Sequence, residues 1–80
     1  MKANEIKTAL FFKLEQLNTA EAMGKGNTIK HQARNGYYAV DFYNGTTCIK
    51  TLRAGLSLQE CYIFICGIYA ATLDAPTFRQ

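Results

Sequence analysis

The sequence predicts a two-layer α+β sandwich in the order α-β-β-β-α, a three-stranded antiparallel meander with both helices on one face. Three observations carry that expectation. An apolar stripe at helical spacing opens the chain, two Asn-Gly pairs nine residues apart occupy its middle, and thirteen uncharged residues, Cys61 to Leu73, follow a helix-start signal near its end.

The first helix has Asn4 as its candidate N-cap, with Glu5 near the positive end of the helix dipole. Ile6, Leu10, Leu14 and Leu17 fall within about 80° of one another on a helical wheel, the apolar stripe of an amphipathic helix. Asn18 and Thr19 mark where it frays or restarts, and Gly24 and Gly26 stop it. Phe11 flanks the stripe and can still be buried. Phe12 falls on the far side, near Met23 if the helix runs that far, and an apolar patch there hints at a second contact surface.

Asn35-Gly36 and Asn44-Gly45 are strong hairpin signals, because a type I′ turn needs positive φ at both central residues. Two such turns give strands at about 28–34, 37–43 and 46–53. The first turn sets Ala33 opposite Tyr38, His31 opposite Val40 and Ile29 opposite Phe42. The second sets Phe42 opposite Thr47, Val40 opposite Ile49 and Tyr38 opposite Thr51. One face then collects Ile29, His31, Ala33, Tyr38, Val40, Phe42, Thr47, Ile49 and Thr51. The other, wetter face holds Lys30, Gln32, Arg34, Tyr37, Ala39, Asp41, Tyr43, Cys48, Lys50 and Leu52. Lys30 facing Asp41 supports the register.

Ser57 and Glu60 have the S-x-x-E spacing of a capping box, with Leu56 and Cys61 placed for a hydrophobic staple. The helix behind them is apolar nearly all round, so it must be buried nearly all round. Leu58, Tyr62, Ile65, Tyr69 and Leu73 form one stripe against the sheet and the first helix. Ile63, Phe64, Gly67, Ile68, Ala70 and Ala71 are left over. Burying Ile63, Phe64 and Ile68 contributes roughly 5–8 kcal/mol. Gly67 and Ala71, spaced small-xxx-small, admit a second helix closely.

At 80 residues the chain is expected to form one small domain, 1–80, with a frayed tail from Asp74 through Pro76 to Gln80. The apolar run is shorter than the roughly 20 residues of a membrane span and is bracketed by Glu60 and Asp74, so no membrane partner is expected. Charges interrupt the apolar residues of MKANEIKTALFF, unlike a signal peptide. Three cysteines leave an odd count, and Cys61 and Cys66 lie roughly 140° apart on a helix. They read as small hydrophobes of a reducing, cytoplasmic compartment.

No catalytic residue, cofactor or metal is expected. The six carboxylates are scattered, no phosphate-loop or dinucleotide fingerprint occurs, and one histidine with no C-x-x-C makes a poor zinc set. His31 and Cys48 are placed on opposite sheet faces, so they cannot pair for nucleophilic catalysis.

Two binding readings remain. The leading one is a small non-enzymatic binding protein, a homodimer or an obligate partner of another protein, acting by occlusion or scaffolding. Its surface would be Phe12, Ile63, Phe64, Gly67, Ile68 and Ala71, in the style of accessory or inhibitor proteins of phages and mobile elements. The alternative is a nucleic-acid-binding module. Residues 25–53 hold Lys25, Lys30, Arg34, Lys50 and Arg53 against Asp41 alone, so the middle carries the whole net charge of +3. The wetter sheet face mixes Lys30, Arg34 and Lys50 with Tyr37 and Tyr43, cations for phosphates and rings for bases. In element order the chain resembles the double-stranded-RNA-binding domain. Where such domains carry a lysine-rich start to the second helix, this chain has Ser57-Leu58-Gln59-Glu60-Cys61-Tyr62.

Overall fold

Ile6, Leu10 and Leu17 are buried together on one side of the first helix, which fixes how the rest of the chain wraps it. The computed structural model describes residues 2–74. The elements are α1 (Ala3–Asn18), a 3-10 turn (Glu21–Met23), β1 (Asn27–Arg34), β2 (Tyr37–Asn44), β3 (Thr47–Leu56) and α2 (Leu58–Asp74). The strands pair antiparallel in the order β1-β2-β3. Leu10, Leu17, Met23, Ile29, Val40, Cys61 and Ile65 form the buried core between the helices and the sheet. This is the expected α-β-β-β-α sandwich.

α1 begins one residue ahead of the expected cap. Lys2 takes the N-cap position and its backbone N–H donates to Glu5 Oε1 at 2.8 Å, so Asn4 lies inside the first turn. The helix ends at Asn18, and Met23 enters the core from the 3-10 turn instead of extending α1 beside Phe12. The α2 start matches the sequence: Glu60 N–H donates to Ser57 Oγ at 3.1 Å and Ser57 N–H to Glu60 Oε1 at 2.8 Å. Those bonds hold the Glu60 carboxyl below its ordinary pKa. Leu58, Tyr62, Ile65 and Tyr69 turn inward as expected. The side chain of Leu73 and the tail beyond Asp74 lie outside the described residues.

The first hairpin holds its expected register throughout, from Arg34 opposite Tyr37 to Asn27 opposite Asn44. Asn35 and Gly36 both have positive φ, 47° and 87°, as a type I′ turn requires. The second hairpin differs. Asn44 pairs with Thr47, so the central residues are Gly45 and Thr46, and only Gly45 has positive φ. Beyond it the pairs run Tyr43–Cys48, Phe42–Lys50, Asp41–Thr51, Val40–Arg53 and Tyr38–Leu56. β3 thus carries an extra residue at each of three irregularities, the last beside Gly55 at φ 74°. Leu52 and Leu56 pack against the core, whereas Ile49, expected inside, is 53% exposed. Thr51, expected on the helix-bearing face, bonds Asp41 on the opposite one.

Candidate interaction surfaces

The outer sheet face is closed by its own side chains. Arg34 lies opposite Tyr37 at the end of β1 and reaches across Ala39, donating through Nη2 to Asp41 Oδ2 at 2.5 Å. Thr51 Oγ1 donates to Asp41 Oδ1 at 2.7 Å. Ala39 and Asp41, both expected to be wet, are fully buried beneath this bridge. Lys30 pairs with Asp41 in register, but its ammonium lies 4.6 Å from the centre of the Tyr43 ring. The Tyr43 hydroxyl in turn accepts from Gln32 Nε2 at 2.7 Å.

This arrangement alters the proposed nucleic-acid set. Lys30, Arg34, Tyr37 and Tyr43 share the outer face, but the β3 irregularity moves Lys50 opposite Phe42, a core-face position. The Arg34 charge is compensated by a buried carboxylate, and Lys30 covers one face of Tyr43. Tyr37, 40% exposed, keeps a ring open to stacking.

The helical layer presents the opposite character. Phe12 and Ile63 are each 60% exposed, and Gly67 and Ala71 lie on the same open face of α2 as Ile63. Phe64 and Ile68, expected to be surplus, are half-buried against the core. Arg53 from β3 lies 5.4 Å from the Phe64 ring centre, and Lys13 of α1 lies 4.7 Å from that of Tyr69. The apolar face left open is therefore narrower than the sequence implies. A shallow depression lined by Phe12, Glu15, Gln16 and Thr19 runs along the exposed side of α1.

Phe11 is missing from the sequence-predicted set. It is 62% exposed, with its ring edge-on to Phe12 at 5.6 Å between centres. Asn18, seven residues on and so within about 20° on the wheel, uses both ends of its amide on one strand residue. Ile29 N–H donates to Asn18 Oδ1 at 2.8 Å, and Asn18 Nδ2 donates to Ile29 C=O at 3.0 Å. Asparagine at a helix end carries no sequence signal for such a bond.

No family model, curated protein or solved structure matches this chain.

Burial lowers the His31 pKa, on a half-buried ring beside Tyr38. Burial also pushes the Cys61 thiol up to about 11, away from a reactive thiolate. The Tyr62 hydroxyl is raised by hydrogen bonding with the Cys66 side chain. Cys48 is exposed. Among the described residues, no group of three or more His, Cys, Asp and Glu side chains could hold a metal ion, and no helix is long and apolar enough to cross a membrane.

His31 gives the fold a pH dependence of defined sign. Its folded pKa lies below the unfolded value of 6.5, so the unfolded chain binds the proton more readily between the two. Stability is then full above about 6.5 and declines as pH falls through the folded pKa. Chemical denaturation across that range is expected to show the decline in the native chain and a flatter profile in His31→Gln.

Proposed function

We propose that this chain is a non-enzymatic binding protein that acts by occlusion or scaffolding through the exposed face of its helical layer. Its partner is a second copy or another protein. One observation carries the reading. Gly67 sits mid-helix on the exposed face of α2, and a Cβ added there would meet nothing within 4 Å. Glycine in a helix interior costs about 1 kcal/mol relative to alanine, and nothing in the described fold requires it here. A smooth surface flanked by Ile63 and Ala71 suits close approach by another chain.

The outer sheet face supports the nucleic-acid alternative less well, since Arg34 already has a carboxylate and Tyr43 a lysine. A reducing, cytoplasmic setting belongs to this proposal and accords with three free thiols. Accessory or inhibitor roles of the phage type belong with this reading.

Ile63→Asp is the clean test, because Phe64 and Ile68 also support the core. The variant should keep its melting temperature and lose association at this face, measured by capture of the partner. Gly67→Leu should do the same, while Gly67→Ala should stabilise the folded chain by about 0.5–1 kcal/mol. Capture of the partner that survives Ile63→Asp and Gly67→Leu refutes the assignment. Loss of affinity for nucleic acid in Lys30→Ala, with a steep salt dependence, would favour the alternative.

A further inference from the structure

We infer that the free edge of β1 is a self-pairing edge, at which a second copy of this chain adds its own β1 antiparallel about a twofold axis. The inference rests on reading the chain as a binding protein. It places the second copy on a surface distinct from the helical face around Ile63.

β1 is an edge strand, bonded to β2 on one side only. The backbone of Ile29 points to the open side, because Asn18 engages both its N–H and its C=O. The β1–β2 register is unbroken, so alternation points the same groups of His31 and Ala33 outward as well. No other segment among the described residues pairs with them. An edge of this kind templates further strands, and most folds block it. Here Asn18 blocks the first part and leaves the last part open.

The open part is self-complementary. With Gln32 on the twofold axis, His31 of each copy stands opposite Ala33 of the other, and both pairs exchange N–H and C=O. That makes four hydrogen bonds. The two Asn18 clamps fall outside the paired stretch, each beside the Asn35 turn of the other copy. The opposite edge of the sheet offers no such template, since β3 is interrupted at three places.

Phe11 points to a second copy rather than a lone peptide strand. It shares the flank of α1 with Asn18, so it stands over the β1 edge on the side away from Tyr69 and α2. A peptide would occupy the strand level and leave that ring wet. A second copy brings a strand at one level and its own α1 with Phe11 at the other, and the two rings cover each other across the axis. The same register brings Lys30 toward Arg34 of the other copy. Arg34 is held by Asp41 and Lys30 by the Tyr43 ring, which blunts the repulsion. With only a short strand pair and the two rings buried, the interface lies at the small end of stable contacts, and association should depend on concentration.

The mass of the whole chain by light scattering, over a concentration series, tests this. The expected result is a rise from 9.0 kDa toward twice that value. Ala33→Pro removes only an outward N–H, which an edge strand tolerates. It and Phe11→Lys should hold the mass at the monomer value while the circular dichroism spectrum and melting temperature stay native. Should Ala33→Pro fail to fold, a cross-link decides instead. In a Cys48→Ser background, Gln32→Cys places two thiols on the axis, with Cα atoms about 4.5 Å apart in a non-hydrogen-bonded pair, within disulfide range. Diamide should convert that variant to a covalent dimer, and should not convert Thr8→Cys. A monomer at every concentration overturns the inference. So does a dimer indifferent to Ala33→Pro and Phe11→Lys but lost in Ile63→Asp, a result that would leave the helical-face reading standing.

Discussion

Replacing Arg34 with methionine is expected to lower the stability of the fold by about 2–3 kcal/mol, because it strips a fully buried carboxylate of its cation. Asp41 would keep only the Thr51 hydroxyl. A buried carboxylate left without its cation draws in water, which loosens the middle strand. Urea denaturation of Arg34→Met against the native chain measures the loss. The double variant Arg34→Met/Asp41→Leu should recover most of it, since apolar groups of similar size often replace a buried ion pair with little penalty. If Arg34→Met is as stable as the native protein, Asp41 is not the buried anchor the geometry makes it. The experiment also bears on function, because an arginine that holds the sheet together is a poor candidate for a phosphate contact.

Asn18→Ala is expected to cost about 2 kcal/mol. Two partly buried backbone groups of Ile29 lose their partners at once, and each unmet group costs about 1–3 kcal/mol unless water reaches it. Asn18→Asp separates the two bonds. The carboxylate can still accept from the Ile29 N–H, but it has no donor for the Ile29 carbonyl, so its loss should be intermediate or greater. Hydrogen exchange at Ile29 gives the most direct readout: the amide should be protected in the native chain and exposed in Asn18→Ala. An unchanged exchange rate would show that α1 does not clasp the strand.

The first hairpin was legible because Asn35-Gly36 selects a two-residue turn and the alternation of Ile29, His31 and Ala33 then fixes every pair to Asn44. The Ser57–Glu60 box was legible for a similar reason: the spacing, the residue types and the geometry all name the same two bonds. β3 was not. Its segment Ile49-Lys50-Thr51-Leu52 lacks clean alternation, and starting the turn one residue later, with three irregularities beyond it, moved Lys50, Thr51 and Ile49 off their expected positions. Strand period assigns faces only while every residue counts once.

The outer-face burial of Asp41 was hidden for another reason. Alternation treats each outward position as wet and cannot see a long arginine crossing from one strand to the next. For Phe11 the wheel gave the right angle but not the neighbour. That angle leads to the strand edge, where the ring stays 62% exposed.

The two turns of the meander differ in how the chain can be lengthened. At Asn35-Gly36 no backbone hydrogen bond ties the turn to another loop among the described residues. At the other turn, Gly45 N–H donates to Gly26 C=O at 2.9 Å, and Asn44 Nδ2 donates to Asn27 Oδ1 at 2.8 Å. Asn27 Nδ2 then continues to the Met23 carbonyl at 2.8 Å. The second hairpin tip is thus laced to the connection that brings Met23 into the core. Extra residues at Asn35-Gly36 would leave the fold of the single chain intact and crowd only a copy paired at the β1 edge, whereas the same residues at Gly45 would pull on the buried methionine. An insertion at the first turn thus separates folding from self-pairing, and one at the second turn does not.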